Sequence, residues 1–145
     1  MTLRITTDLN EMDFDVIHQF ITESYWAKNI PKSVMRKALE NSLCFGLMEN
    51  TKQIGFARMI TDKATFAYLA DVFVMPEHQG KGLSRLLMDE VISHPDLKGL
   101  RRVMLATRDA HGLYAKYGFE NIKDSSMLMQ VLSPDVYTGS DQEDI

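Results

Sequence analysis

The sequence lacks several features that would assign it to large classes of protein. It contains a single cysteine, Cys44, so no disulfide can form within the chain, and this favours a reducing compartment. The four histidines are scattered and no cysteines are paired, so no metal-ligand spacing is present. We therefore expect a cytoplasmic protein without a metal. Because Cys44 lies in the apolar run "LCFGL", we expect it in the core and not as a nucleophile.

Charge and hydropathy exclude two further classes. The 16 basic and 20 acidic residues form no basic block, so nucleic acid is not an expected partner. No apolar stretch approaches the length of a membrane span, and the first residues lack a secretory apolar segment, so no membrane is expected. Hydrophobic residues make up 45% of the 145 residues, which suits one domain over 1–145. Within it, residues 133–145 are expected to form a loose acidic tail.

Hydrophobic periodicity predicts both strands and helices. The predicted strands are residues 3–6, 43–49, 54–61, 65–75, 101–107 and 127–132, with one more strand just before the last. The predicted helices are 16–25, one beginning near Pro31, 83–91 and a short one at 109–117. Hairpins imply antiparallel neighbours, whereas the crossover between the fourth and fifth strands implies a parallel pair. The fold class is therefore α/β (α+β), a mixed, mostly antiparallel sheet with helices on both faces.

A glycine loop, "HQGKGLS", separates the fourth strand from the helix that follows it. It is not a P-loop, because Gly82 is followed by Leu83, and it is not a dinucleotide fingerprint, because Arg85 occupies the third glycine position. Backbone N–H groups at such a helix start can converge on a pyrophosphate, and glycines let the anion approach. A simple turn is the alternative interpretation of the loop alone.

With the strand before it, this stretch, "VFVMPEHQGKGLS", resembles the acetyl-CoA loop of the GNAT acyltransferase superfamily. Gln79 and Gly82 match the pattern of Arg or Gln, two residues, Gly, one residue and then Gly or Ala. Ser84 stands at the last of these positions, and Gly80 and Lys81 are common loop residues in that superfamily.

A second stretch, "TRDAHGLYAKYGFE", resembles the late GNAT motif. Leu113, Tyr114, Gly118 and Phe119 match an apolar residue and Tyr followed by Gly-Phe, and Thr107 stands where the family often has Asn. The resemblance extends over residues 1–132 by element order, and it implies the GNAT fold.

The resemblance also implies a function and a set of site residues. The implied activity is acetyl transfer from acetyl-CoA to a primary amine in a ternary complex, with Tyr114 as general acid toward the CoA thiolate. A bulge in the fourth strand is expected to separate it from the fifth and to open a slot for the cofactor. Cofactor contacts are implied for Val72, Phe73, Val74, Gln79, Gly80, Lys81, Gly82, Leu83, Ser84, Arg85 and Thr107.

The general base and the acceptor site are less constrained by the sequence. Some relatives carry a Glu where this chain has Ala70, and Asp71 is the only charged residue of the strand. Asp71 is therefore a candidate base, with a hydrogen-bonded structural carboxylate and a water relay as alternatives. Tyr25, Trp26 and Asn29 are candidates for the wall of an amine pocket. The alternative for the aromatic residues is the edge of the core, which is favoured for Tyr25.

Three functions are compatible with the sequence. The leading hypothesis is an acetyl-CoA-dependent N-acetyltransferase acting on a small-molecule or protein amine. Dimers are frequent among such folds. The second is a CoA-binding sensor or regulatory module without catalysis. The third is an interaction domain in which the glycine loop only makes a turn.

Overall fold

Five strands form one mixed sheet in the computed structural model, which describes residues 2–137. The strands are β1 (Leu3–Thr6), β2 (Leu43–Glu49), β3 (Lys52–Thr61), β4 (Phe66–Val74) and β5 (Arg102–Leu105). They lie side by side in sequence order. The first three pairings are antiparallel and the β4–β5 pairing is parallel, which confirms the mixed, mostly antiparallel sheet.

The described residues contain four α-helices, of which three lie between strands and the fourth follows β5. They are α1 (Phe14–Thr22), α2 (Lys32–Glu40), α3 (Leu83–Ser93) and α4 (His111–Ala115). The Asp13 side chain accepts the backbone N–H of Val16 and caps α1. The helix was predicted to reach Tyr25 but ends at Thr22, because the Ser24 hydroxyl and N–H both bond to the Ile21 carbonyl. No helix within residues 2–137 is long and apolar enough to cross a membrane.

The helices cover both faces of the sheet, as predicted. On one face α1 and α2 bury Ile17, Ile21 and Met35 against Phe56 and Phe73 of the sheet. On the other face α3 buries its apolar stripe against the side chains of β2, β3 and β4. Each fully buried Leu, Ile or Phe contributes about 1.5–3 kcal/mol of transfer free energy, so the two clusters fix the sheet on which the site is built.

Cys44 lies inside the cluster beneath α1 and α2, with 2% of its surface exposed. Burial raises the pKa of its thiol to about 12. The prediction that Cys44 is a core residue is confirmed.

The predicted strand at 127–132 is wrong, as is the strand expected just before it. Within residues 2–137 no strand follows β5. Residues 127–132 are largely in solvent, with Met129 and Val131 97% and 101% exposed. The apolar run has strand-like composition, but a strand also needs a hydrogen-bonded neighbour, which periodicity does not reveal. Of the expected acidic tail, residues 133–137 are described and end in a turn, and the rest lies outside the described residues.

Candidate active site

A bulge interrupts β4 in its second half. The β3 residues Phe56 and Arg58 are two positions apart, whereas their β4 partners Phe73 and Ala70 are three apart. The extra residue strains the strand locally, and Asp71 adopts a left-handed φ of +56°. The bulge that the GNAT resemblance implied is therefore present.

Beyond this bulge β4 and β5 separate. Their parallel pairing runs from Phe66 and Arg102 to Leu69 and Leu105 and stops there. The opening between them is a cleft of about 470 Å³. Its walls are β4 residues 68–72, the stretch 105–110 that follows β5, and the side chains of Tyr25, Trp26 and Tyr114. Backbone groups of residues 70–74 thus have no strand partner on the β5 side.

The glycine loop lies where β4 leads into α3. Gly80 and Gly82 both have left-handed φ, +81° and +76°, and a Cβ on either would meet no atom within 4 Å. Gly82 is the N-cap of α3, and its carbonyl accepts from Leu86 in the first helical turn. The N–H groups of residues 80–85 have no protein acceptor in the described part of the chain. The loop therefore presents free donors, and the positive end of the helix dipole, to an open space.

The side chains around this loop have different environments. The Gln79 amide donates to the Val74 carbonyl at 2.9 Å and ties the loop to the end of β4. Leu83, the first residue of α3, has its side chain buried in the core between that helix and the sheet, so only its backbone faces the loop. Lys81 and Arg85 are exposed and are the two cations beside the free N–H groups.

Tyr114 is held at the cleft by α4. The Thr107 hydroxyl accepts the N–H of Ala110 at 3.0 Å, which fixes the turn into the helix. Tyr114 is half-buried, and the Phe119 ring packs edge-on at 6.0 Å. Burial, and secondly the neighbouring Tyr25 phenol, raise the pKa of Tyr114. The phenol is therefore protonated at neutral pH and is able to donate a proton.

Asp71 is the centre of a buried polar cluster. One carboxylate oxygen accepts from Arg58 Nε at 2.8 Å and the other from Trp26 Nε1 at 2.7 Å. Arg58 also donates to the Ser42 hydroxyl at 3.2 Å. The Asp71 side chain is 4% exposed and that of Arg58 is 15% exposed. These contacts fit the alternative of a structural carboxylate, and a role as general base stays a prediction.

The aromatic pair lies on the outer wall of the cleft. Tyr25 is 57% exposed, so its favoured interpretation as a core residue is wrong. Its ring lies 3.7 Å from the guanidinium carbon of Arg108 and 5.1 Å, edge to face, from Trp26. Asn29 lies outside this wall. Its φ is left-handed, and its backbone N–H donates to the Thr22 carbonyl at 2.8 Å.

Comparison with known proteins decides the family. Residues 6–130 match the family model of the acetyltransferase (GNAT) domain. The chain belongs to the GNAT acetyltransferases. A Gibberella zeae protein whose name assigns it to the acetyltransferases is 36% identical, in an alignment covering 77% of this chain and 75% of that protein. The crystal structure of a GNAT family protein from Xanthomonas campestris is 48% identical, with a TM-score of 0.92 over 96% of this chain and 99% of that chain.

A more distant structure of the same fold contains coenzyme A. The structure of N-acetylglutamate synthase from Neisseria gonorrhoeae, complexed with coenzyme A and N-acetyl-glutamate, matches with a TM-score of 0.67. It is 16% identical and covers 88% of this chain and 30% of that chain, so the match shows a shared fold. The described part of this GNAT protein contains no group of three metal-ligating side chains.

Two site residues were missed by the sequence analysis. Apart from Lys52 at its first position, Arg58 is the only charged residue of β3. A charged residue inside an apolar strand is a signal for a buried partner, which here is Asp71. Arg108 covers Tyr25 from the stretch after β5, and nothing in the local sequence indicates that stacking.

Proposed function

We propose that this GNAT protein transfers an acetyl group from acetyl-CoA to a primary amine. One observation carries the proposal: the cleft opened by the bulge at Asp71 lies on the strand that leads directly into the glycine loop. A thioester in that cleft and a pyrophosphate at the start of α3 are then two parts of one extended ligand. Tyr114 borders the same cleft.

The nucleotide end of the cofactor binds at the glycine loop. The pyrophosphate accepts from the free N–H groups of residues 80–85, and Lys81 and Arg85 add positive charge. Gln79 and Leu83 act indirectly, by holding the loop on β4 and α3. Ser84 lies in the first turn of α3, where its small side chain leaves room for the phosphates.

The pantetheine end binds along the unpaired part of β4. Its amides pair with the backbone of Val72, Phe73 and Val74 as an added strand would. The side chains of Phe73 and Val74 point into the core, so they position this backbone without touching the ligand. Thr107 lies on the opposite wall and holds the turn that presents Tyr114.

Acetyl-CoA supplies the acetyl group as an activated thioester. The neutral amine attacks the carbonyl carbon, a C–N bond forms and the C–S bond breaks. An unpaired backbone N–H of residues 70–74 stabilises the negative charge on the carbonyl oxygen. Tyr114 gives its phenolic proton to the departing sulfur. Water takes one proton from the cationic amine before the attack and a second from the nitrogen after the C–N bond forms, and it returns a proton to the Tyr114 phenolate. Water takes this part because the Asp71 side chain is 4% exposed and is held by Arg58 and Trp26.

The amine enters past the exposed aromatic pair. The faces of Tyr25 and Trp26 attract a cationic amine, and Trp26 is held in place by Asp71. Asn29 is proposed to contact only the outer part of a longer acceptor. The single buried cysteine and the cofactor favour a cytoplasmic location.

A CoA-binding module without catalysis is the second candidate. The observation that favours it is that Asp71, the only carboxylate of β4, is 4% exposed and is held in an ion pair by Arg58. Such a module binds CoA as tightly as the enzyme and transfers nothing.

One assay separates these functions. Purified protein is incubated with acetyl-CoA and a panel of polyamines, amino acids and peptides with free amino termini, and free thiol is measured over time. The proposal expects CoA release that depends on both an amine and the protein. Binding of CoA with no release for any amine would establish the second candidate, and no binding would overturn both.

A further inference from the structure

The cleft between β4 and β5 has one cationic side chain on its wall, that of Arg108. Arg108 is exposed, and it forms no ion pair with any of residues 2–137. The buried carboxylate of Asp71 does not balance it, because Asp71 is paired with Arg58 at 2.8 Å. The guanidinium of Arg108 is therefore open to an anionic group of a ligand.

The Tyr25 ring holds this guanidinium in place. The guanidinium carbon lies 3.7 Å from the ring centroid, and the Tyr25 ring packs edge to face on Trp26. Trp26 is in turn fixed by its hydrogen bond to Asp71 at 2.7 Å. Stacking on a ring uses the face of a guanidinium, whereas its N–H donors lie in its plane and can still bind a carboxylate. Because the side chain is held before a ligand arrives, binding costs less conformational entropy.

The same stacking disfavours an acceptor that carries only positive charge. Arg108 covers one face of Tyr25, so an ammonium group finds only Trp26 and the other face of Tyr25. Asp109 borders the cleft beside Arg108, and in the described part of the chain it has no ion pair either, not even with Arg108. The wall of the cleft thus presents one positive and one negative group next to each other, which complements a ligand that carries both charges.

We propose that the acceptor is a free amino acid, whose carboxylate binds Arg108 while its amine faces the thioester. The inference rests on the proposed acetyl transfer and names its substrate class. Arg108 follows Thr107, and Tyr114 borders the same cleft, so a carboxylate on Arg108 lies beside the reacting groups. A cleft of about 470 Å³ that also takes the end of the pantetheine arm suits an acceptor of this small size.

The test compares amino acids with their own amides as acceptors. Each common amino acid and its amide are incubated with the protein at saturating acetyl-CoA, and free thiol is measured. We expect at least one amino acid to be acetylated with a kcat/KM at least about 10-fold above that of its amide, because the amide lacks the charge that Arg108 binds. Arg108→Gln should lower kcat/KM for that amino acid about 10- to 100-fold, mainly through KM, and leave the amide unchanged.

Arg36→Gln is the matched control. Arg36 is also exposed and also lies over an aromatic ring, with its guanidinium carbon 3.9 Å from the Phe14 centroid, but it belongs to α2 and does not border the cleft. It should keep the preference for the amino acid. Arg108→Lys keeps the charge without the planar pair of donors and should lose part of the preference. A variant that only disturbed the fold would lose turnover of amino acid and amide alike and would bind acetyl-CoA more weakly.

Several outcomes would overturn the inference and leave the acetyl transfer intact. They are a preference for amides or polyamines, a preference for amino acids that survives in Arg108→Gln, and Arg108-dependent acetylation confined to peptides with an acidic residue near the amino terminus. If no acceptor releases CoA, the acetyl transfer itself fails, and calorimetry decides the inference. Amino acids titrated into the CoA-saturated protein should then bind the wild type and Arg36→Gln but not Arg108→Gln, and a wild type that binds none would overturn it.

Discussion

Replacing Asp71 by asparagine tests the cluster that shapes the cleft. The substitution keeps the side-chain shape and removes the charge that accepts from Arg58 at 2.8 Å and from Trp26 at 2.7 Å. Breaking a buried ion pair costs about 3–5 kcal/mol, and a charged hydrogen bond contributes about 1.5–3 kcal/mol. In the variant Arg58 still donates to the Ser42 hydroxyl, and 15% of its side chain remains in contact with water, so its charge is not left wholly unpaired. We therefore expect a loss of about 2 kcal/mol in the free energy of unfolding.

The assay is thermal unfolding followed by circular dichroism. A loss of that size in a chain of this length lowers the midpoint by about 4–8 °C. The control is Asp15→Asn, whose side chain is 84% exposed and lies 4.0 Å from Lys32 Nζ, and it should cost less than about 1 kcal/mol. Equal shifts in the two variants would mean that the buried Asp71 charge stabilises the protein no more than the exposed Asp15 charge does. An Asp71→Asn protein of unchanged stability that has lost all turnover would mean that Asp71 acts as the base.

The further predictions concern three side chains: Tyr114, Trp26 and Cys44. Tyr114→Phe should lower kcat by about 100-fold and leave the Kd of acetyl-CoA unchanged, because it removes the proton donor. The control Tyr117→Phe should leave kcat unchanged. Similar losses of kcat in both variants would argue against a general acid at position 114. Burial raises the Tyr114 pKa, so the wild-type kcat should fall only above the ordinary tyrosine pKa of about 10. Trp26→Phe removes the N–H that donates to Asp71, so it should raise the KM for the amine several-fold and leave the affinity for acetyl-CoA unchanged. An unchanged KM for the amine would show that Trp26 does not contact the acceptor. Cys44, with a pKa of about 12, should react with a thiol reagent only in denaturant, and rapid labelling of the folded protein would contradict its burial.

The central part of the fold could be predicted from the sequence because its signals are local. β4 is an apolar run that only Asp71 interrupts, and Pro76 follows its end. The spacing of apolar residues in α3 follows one face of a helix. The glycine loop lies between them, so its position at a helix start follows from its neighbours alone. The second motif located α4 in the same way.

The parts that were missed depend on residues far apart in the chain. The Arg58–Asp71 pair forms across the β3–β4 hairpin, and the bulge decides which side chains share a face there. Trp26 reaches Asp71 across 45 positions. Residues 127–132 have the composition of a strand, but whether they pair depends on which sheet edge is available to them, and no local pattern encodes that.

Calorimetric titration of acetyl-CoA into the wild-type protein and into two variants of Gly82 tests whether the start of α3 binds the pyrophosphate of the cofactor. Asn and Asp both tolerate the left-handed φ of +76° and both cap helices, so Gly82→Asn and Gly82→Asp differ mainly in charge. If the pyrophosphate binds at the start of α3, the wild type binds with measurable heat. Gly82→Asp then binds at least about 10-fold more weakly than Gly82→Asn. Two like charges about 4 Å apart near a protein surface repel by up to about 4 kcal/mol, and about 1.4 kcal/mol already corresponds to 10-fold in Kd. No heat with the wild type, or equal Kd values for the two variants, would contradict the account.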